Sequence, residues 1–163
     1  MTRLEALQSK IQSREQLART IALWKFKDRK IVFTNGCFDL LHKGHVTYLA
    51  QAAEMGDMLV VGLNSDASVK KLAKGDSRPI QDQDSRALIM ASLESVAAIC
   101  IFDEDTPADL IKLVQPDVLV KGGDWKPEQI AGYDTVKASG GEVTVIEFLP
   151  GFSTTAIEKK IKG

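Results

Sequence analysis

The stretch KIVFTNGCFDLLHKGHVTYLAQAA, residues 30–53, decides the fold of this chain. Three of its first six residues are apolar and three are β-branched, which is typical of a strand, and residues 46–53 favour a helix. The only two histidines of the chain, His42 and His45, stand where this helix would begin. At i, i+3 spacing they share one helix face, beside backbone N–H groups that attract phosphate. The turn from strand to helix is therefore predicted to bind phosphate.

Apolar runs and helix-like segments alternate along the rest of the chain. The strand-like runs cover residues 30–35, 58–63, 96–102, 117–121 and 142–148. This alternation predicts a parallel sheet with helices on both faces, because right-handed crossovers place the helices on either side. The expected fold class is α/β, a Rossmann-like doubly wound parallel five-stranded sheet. We expect a single domain overall, in which residues 1–27 form an N-terminal helical arm and residues 28–163 form the main body.

Composition excludes several classes of protein. The 163 residues carry a net charge of -1, which gives no general attraction to nucleic acid or to an anionic membrane. No apolar run approaches the roughly 18 residues of a membrane span, and residues 1–20 lack the apolar core of a signal peptide. Two cysteines are too few for a disulfide framework. We therefore expect a cytoplasmic protein without nucleic-acid or membrane partners.

The predicted N-terminal arm carries an apolar side. Leu17, Ile21, Leu23 and Trp24 lie on the second of its two predicted helices. This side either packs on the main body or contacts a second copy of the chain, and from it we expect a homodimer.

Polar and glycine-rich residues follow every predicted strand. The carboxyl ends of parallel strands meet at one edge of the sheet, where ligands bind in such folds. The segments are Asn35-Gly36-Cys37-Phe38-Asp39, Asn64-Ser65-Asp66, Asp103-Glu104-Asp105, Lys121-Gly122-Gly123-Asp124 and residues 150–155. The acidic triplet is compatible with a magnesium site or with a helix N-terminus, and the second is the commoner use of such residues.

The histidine pair replaces the usual phosphate motifs. The chain has neither a P-loop nor a G-x-G-x-x-G turn after the first strand. In H-x-G-H, Gly44 lets a phosphate approach the backbone, and two imidazoles can donate to oxygens whose charge grows during displacement at phosphorus. This chemistry fits the in-line transfer of a nucleotidyl group. Two alternatives stay open, namely surface or capping histidines and a transition-metal site completed by Cys37 or Asp39.

The stretch Asn35-Gly-Cys-Phe-Asp-Leu-Leu-His-Lys-Gly-His45 resembles the signature of the nucleotidyltransferase superfamily that includes the cytidylyltransferases and pantetheine-phosphate adenylyltransferase. Residues 74–80, 104–107, 121–124 and 151–155 narrow the resemblance to the adenylyltransferases of ADP-heptose synthesis. The resemblance covers about residues 20–163. It implies transfer of AMP from ATP to D-glycero-β-D-manno-heptose 1-phosphate, with Mg²⁺ carried by ATP rather than by protein ligands. About 28 residues precede the first strand, too few for the sugar kinase that precedes this domain in many bacteria, so a stand-alone adenylyltransferase is expected.

The resemblance also implies roles for individual residues. The chemistry of the loop residues suggests further roles. Asp39 is expected to support its own loop through neighbouring N–H groups, one of residues 153–155 should cap the last helix, and Arg86 is either a salt bridge or a ligand. The predicted catalytic residues are His42, His45, Lys74 and Lys121. The predicted nucleotide-binding residues are Asn35, Gly36, Cys37, Phe38, His42, His45, Lys121, Gly122, Ser153, Thr154 and Thr155. The predicted substrate-binding residues are Asn64, Asp66, Lys74 and Arg78.

Two other functions compete with this one. The first is a cytidylyltransferase acting on glycerol 3-phosphate or a related phosphorylated alcohol. Phe148 favours ATP over CTP, because glycerol-phosphate cytidylyltransferases carry an arginine at that place, three residues before the glycine of Gly-x-Ser-Thr-Thr. The second is a non-catalytic module that binds nucleotide without releasing pyrophosphate.

Overall fold

The computed structural model describes residues 1–72 and 77–163, which build a parallel sheet of five strands. The strands are β1 (Ile31–Gly36), β2 (Met58–Asn64), β3 (Ala98–Phe102), β4 (Val118–Gly122) and β5 (Glu142–Ile146). Their order across the sheet is β3-β2-β1-β4-β5, and every neighbouring pair is parallel. The predicted Rossmann-like fold class is confirmed. Because β1 lies between β2 and β4, the loop that follows it stands at the centre of the sheet edge.

Eight α-helices connect or flank these strands within the described residues. They are α1 (Arg3–Gln8), α2 (Arg14–Phe26), α3 (Lys43–Ala53), α4 (Asp66–Lys71), α5 (Gln83–Ala91), α6 (Ala108–Val114), α7 (Tyr133–Ala138) and α8 (Thr154–Lys162). A single turn of 3₁₀-helix covers Pro127–Gln129. None of the helices in the described ranges is long and apolar enough to cross a membrane.

The sheet separates two apolar cores, as the side-chain alternation of β1 shows. Val32 packs with Leu49 of α3 and Met90 of α5 on one face. Its neighbour Phe33 packs with residues of α2 and α6, including Leu17 and Leu110, on the other. Successive residues of a strand point to opposite faces, so one apolar run supplies both cores. The two cores together cover both faces of the sheet.

The predicted N-terminal arm is part of the same fold. Leu17 and Ile21, on its apolar side, are 0% and 4% exposed and belong to the second core. Before them, the Gln12 amide donates to the Ile99 carbonyl at 2.9 Å, and the Ile99 amide donates to Lys10 at 2.8 Å. The chain thus runs beside β3 and packs α2 onto the sheet. The apolar side that suggested a dimer contact is largely turned inward, and the homodimer stays a prediction.

Every strand begins or ends one or two residues away from its predicted bounds. The sixth helix begins at Ala108 with Pro107 as its N-cap residue, although the preceding Thr106 is the better capping side chain. The fifth strand ends at Ile146 rather than at residue 148. The backbone beyond Ile146 leaves the ladder, and Phe148 therefore lies in a loop that passes the end of β4.

Candidate active site

A cavity of about 610 Å³ opens at the carboxyl edge of the sheet, above β1 and β4. It brings together residues that are far apart in sequence, from the β1–α3 loop, the end of β4 and the start of α8. The predicted site residues in its wall are Asn35, Gly36, Cys37, Phe38, His42, His45, Arg78, Lys121, Gly122, Ser153, Thr154 and Thr155. Lys74, a predicted catalytic and substrate-binding residue, lies outside the described residues.

The two histidines form a stacked pair at the start of α3. Their ring centroids are 3.8 Å apart and the ring planes differ by 20°. Phe38 meets His45 edge-on, with 5.3 Å between centroids, so the pair is held from the side of the β1 loop. His42 occupies the N-cap position, yet its side chain makes no capping hydrogen bond within the described part of the chain. The capping interpretation of this residue is therefore wrong.

Partial burial keeps His42 neutral near pH 7. Desolvation lowers its pKa below the ordinary value of 6.5. A neutral imidazole carries one N–H donor and one acceptor nitrogen. Its Nδ1 is buried and has no hydrogen-bond partner among the residues that the structure describes. A neutral ring can carry its proton on Nε2 and act there as an uncharged donor.

This lowered pKa predicts a pH effect on stability. The unfolded chain takes up a proton on His42 at a higher pH than the folded chain does, so the neutral ring stabilises the fold fully above pH 6.5. That contribution is lost as the pH falls from 6.5 toward the folded pKa. We expect the melting temperature of the wild type to fall more steeply between pH 7 and pH 5 than that of His42→Gln. Parallel curves for the two proteins would contradict this.

Gly44 leaves room for the His42 ring. A Cβ at this position would lie 3.0 Å from both Cε1 and Nδ1 of His42 and 3.2 Å from Cβ of Phe152. These distances are tighter than ordinary van der Waals contact, so a side chain would push the imidazole out of its stack. The glycine of H-x-G-H thus leaves room for the histidine beside it.

We expect Gly44→Ala to lower kcat/KM by up to about 10²-fold, the cost of misplacing a catalytic group by about 1 Å. Alanine is the better helix former by about 1 kcal/mol, so the activity should fall without a matching loss of helix content. Steady-state kinetics and circular dichroism check this together. Val46→Ala, an exposed residue of the same helical turn, is the control and should retain activity. Wild-type kcat/KM in Gly44→Ala would contradict the steric argument.

Lys121 and Asn35 meet because β4 and β1 are neighbours. The Lys121 ammonium donates to Oδ1 of Asn35 at 3.4 Å, and both residues lie in the cavity wall. The contact directs the lysine over the end of β1, toward the loop that carries the histidines. A positive charge and the two imidazoles thus belong to one cavity, an arrangement suited to several phosphate groups in a row.

Asp39 and Arg78 join three segments around the cavity. Asp39 is 5% exposed and accepts hydrogen bonds from the amides of Ile80 and Gln81, each at about 3.0 Å. Arg78 donates to Asp39 at 3.2 Å and to Glu158 of α8 at 2.8 Å. Asp39 therefore supports a distant loop rather than its own. The guanidinium of Arg78, predicted to bind substrate, is held by two carboxylates.

The first residues of α8 contribute hydroxyl groups to the cavity. Ser153 caps the helix, since its hydroxyl accepts from the Ala156 amide at 3.0 Å. The prediction that one of the three residues caps the helix is confirmed. Thr154 donates to the Leu40 carbonyl at 3.4 Å, which ties the helix to the loop after β1.

Comparison with known proteins decides the family of this chain. The sequence model of the Cytidylyltransferase-like family matches residues 33–160, which include the histidine pair, Lys121 and the start of α8. The chain belongs to that family. It is accordingly an enzyme of the nucleotidyltransferase class.

Curated relatives of this cytidylyltransferase-like chain carry the name bifunctional protein HldE. The protein from Wolinella succinogenes is 53% identical over 156 residues, which are 96% of this chain and 32% of that protein. The one from Campylobacter concisus is 59% identical over 134 residues, which are 82% of this chain and 27% of that protein. The chain thus spans about a third or less of the length of these relatives.

Solved structures give the same fold. A lipopolysaccharide core biosynthesis protein from Thermoplasma volcanium superposes with a TM-score of 0.62 at 27% identity, covering 74% of this chain and 97% of that one. Pantoate–β-alanine ligase from Francisella tularensis superposes with a TM-score of 0.60 at 16% identity, covering 93% of this chain and 76% of that one. The second likeness shows the fold alone.

Two predicted substrate-binding residues lie away from the cavity of this cytidylyltransferase-like domain. Asn64 is 4% exposed and donates to the Ser68 hydroxyl at 2.9 Å. Asp66 accepts from Arg86 at 2.7 Å. Neither residue belongs to the described cavity wall. Their side chains stabilise the start of α4 and the buried arginine, so the sequence pattern Asn-Ser-Asp here reflects helix capping.

Neither metal alternative finds a ligand set in the described residues. No group of three His, Cys, Asp or Glu side chains in residues 1–72 and 77–163 could hold an ion. Within the acidic triplet, Glu104 pairs with Arg14 and Asp105 pairs with Lys71. These carboxylates thus connect α2 and α4 to the end of β3. The transition-metal interpretation of the histidine pair lacks a third ligand among the described residues.

Several cavity residues were not found by sequence reasoning. Tyr48, Trp125 and Phe152 all lie in the wall. Trp125 follows the glycine pair after β4, and Phe152 precedes the capping serine, so their positions after strands could have identified them. Tyr48 lies in the interior of α3, where an aromatic residue is usually part of the core, and the sequence offers no signal for it.

Proposed function

We propose that this chain transfers AMP from ATP to a sugar 1-phosphate, giving an ADP-sugar and pyrophosphate. The observation that carries the proposal is the stacked pair of His42 and His45, 3.8 Å apart, in one cavity with Lys121. The kinship with bifunctional HldE proteins supports D-glycero-β-D-manno-heptose 1-phosphate as the sugar, and hence ADP-heptose as the product.

In this proposal the substrate supplies its own nucleophile. An oxygen of the sugar 1-phosphate attacks the α-phosphorus of ATP, a new phosphoanhydride bond forms, and the bond to pyrophosphate breaks. The phosphate oxygen is already anionic, so no general base is needed. Catalysis then rests on positioning and on donors aimed at the charge that develops around phosphorus.

We assign that charge stabilisation to His42 and His45, with Lys121 directed at the phosphates by Asn35. The hydroxyl and amide groups of residues 153–155 supply further donors to the triphosphate at the start of α8, where the helix dipole favours an anion. The metal enters as part of the substrate MgATP, bound to phosphate oxygens and water.

Product analysis tests the proposal. The purified chain is incubated with MgATP and heptose 1-phosphate, and pyrophosphate release is measured together with the mass of the nucleotide product. We expect release of pyrophosphate and the mass of ADP-heptose. A parallel reaction with CTP and glycerol 3-phosphate should give far less product. Formation of CDP-glycerol as the main product would establish the cytidylyltransferase alternative. Nucleotide binding without pyrophosphate release from any substrate pair would establish a non-catalytic module.

A further inference from the structure

The histidine pair belongs to a longer series of aromatic rings. His45 meets Phe38 edge-on at 5.3 Å and stacks on His42 at 3.8 Å. The His42 ring in turn lies 6.5 Å from that of Phe152, with 28° between the two planes. Centroid distances of about 4.5–7 Å are those of interacting aromatic pairs. Phe152, which is 43% exposed in the cavity wall, therefore adjoins the pair from the loop before α8.

Two links attach the start of α8 to the loop after β1, and they determine where Phe152 lies. Thr154 donates to the Leu40 carbonyl at 3.4 Å. Arg78 adds the second link, because it donates to Glu158 of α8 and to a carboxylate of that loop. The backbone at Phe152 thus follows α8, and α8 follows the loop that leads to the histidines.

The ring of His42 has little other support. His42 precedes the first helical residue of α3 and has an extended backbone, with φ -141° and ψ 172°. It makes no capping hydrogen bond, and its Nδ1 has no partner among the described residues. A Cβ on Gly44 would lie 3.2 Å from Cβ of Phe152, so the first turn of α3 and the loop before α8 approach closely. Neighbouring rings therefore position this imidazole, and Phe152 supplies such a contact from the side of α8.

We propose that Phe152 is a positioning residue, which packs on His42 and holds its imidazole in the stack with His45. This inference rests on the proposed function and deepens it, because it links the docking of α8 to the alignment of the two donors. A donor aimed at phosphorus acts in a narrow geometry, and a displacement of about 1 Å can cost about 10²-fold in rate. Without the Phe152 ring, His42 is free to turn out of the stack.

Loss of Phe152 should also change the ionisation of His42. Partial burial lowers the pKa of His42, and removal of the neighbouring ring lets water reach the imidazole. The pKa of His42 should then rise toward 6.5. The comparison leaves the surrounding ionisable side chains unchanged, so the rise reports the hydration of His42. Those that share the cavity wall or the first turn of α3 with His42 include Cys37, Asp39, Lys43, His45, Arg78 and Lys121.

The test compares the wild type with Phe152→Ala and Phe152→Tyr. We expect Phe152→Ala to lower kcat by about 10- to 10²-fold, with a smaller change in the KM for ATP. Phe152→Tyr keeps the ring and should restore kcat. Because the chain has two histidines, an NMR titration of the free protein follows both imidazoles, and His42→Gln assigns them. The pKa of His42 should rise in Phe152→Ala and keep its wild-type value in Phe152→Tyr.

A double variant separates positioning through His42 from direct contact with a substrate. In a His42→Gln background, Phe152→Ala should lower kcat only about two- to three-fold, since its effect passes through the missing imidazole. Phe26→Ala is the matched control, because Phe26 is 85% exposed at the end of α2. It should match the wild type in kcat and in the titration.

Three results would overturn the inference: a wild-type kcat in Phe152→Ala, an unchanged His42 titration in that variant, or single losses that multiply in the double variant. Wild-type protein that binds ATP but releases no pyrophosphate would refute the proposed reaction alone. The titration of the free protein would then still decide whether Phe152 holds His42 in place.

Discussion

Replacing His45 by alanine is expected to lower kcat for adenylyl transfer by about 10²–10³-fold, the usual cost of losing one donor to a developing negative charge. The ring stacks on His42 at 3.8 Å and touches Phe38 edge-on, so its position is set by two neighbours before any substrate arrives. Preorganised donors of this kind require little rearrangement during the reaction. The KM for ATP should change much less than kcat, because the lost interaction is strongest in the transition state.

The measurement is steady-state pyrophosphate release at saturating substrates, with thermal unfolding as the check on folding. Lys43→Ala is the matched control. Lys43 is exposed in the same turn, with its ammonium 5.7 Å from the Phe152 ring centroid, and its loss should change kcat by no more than a few-fold. The double variant of His42 and His45 should lose less than the product of the single losses, because two stacked rings act as one unit. A kcat near wild type in His45→Ala would remove the basis of the proposed mechanism.

The parts of the site that follow from local sequence could be predicted well. The i, i+3 spacing predicted that His42 and His45 lie together, and their rings do stack at 3.8 Å, although His42 is the N-cap residue and only His45 lies within α3. The apolar runs identify the five strands, and parallel strands end at one edge, so Asn35 and Lys121 were expected to lie near each other. Their hydrogen bond at 3.4 Å agrees with that expectation.

The remaining features depend on contacts between distant segments, which spacing along one sequence does not reveal. Arg78 has the charge of a phosphate ligand, but Asp39 and Glu158, 39 and 80 residues away, hold its guanidinium. Asn64 and Asp66 follow a strand at the correct edge and still turn away from the cavity, because the adjacent α4 and Arg86 use their side chains. Position at the sheet edge thus does not predict which side chains turn into the cavity and which bond to neighbouring elements.

Arg86 is a buried charged residue that joins several segments at this edge of the sheet. It is 0% exposed and donates to the carbonyls of Cys37 and Asn64 at 2.7 and 2.8 Å. It also donates to the Gln81 carbonyl at 3.0 Å and pairs with Asp66 at 2.7 Å. One guanidinium thus ties the loop after β1 to the end of β2 and to the segment before α5. No smaller or uncharged side chain reaches all four acceptors.

We expect Arg86→Met to lower the free energy of unfolding by about 3–5 kcal/mol, since it leaves buried carbonyls and one carboxylate without their partner. Urea denaturation measures this loss directly. Arg14→Met is the control, because the Arg14–Glu104 pair is more than one third exposed on both sides and such pairs contribute about 0–1 kcal/mol. Arg86→Lys should recover only part of the loss, because a single ammonium cannot span the acceptors of a planar guanidinium. A destabilisation by Arg86→Met as small as that of Arg14→Met would show that water or a shift of the loop replaces the buried guanidinium.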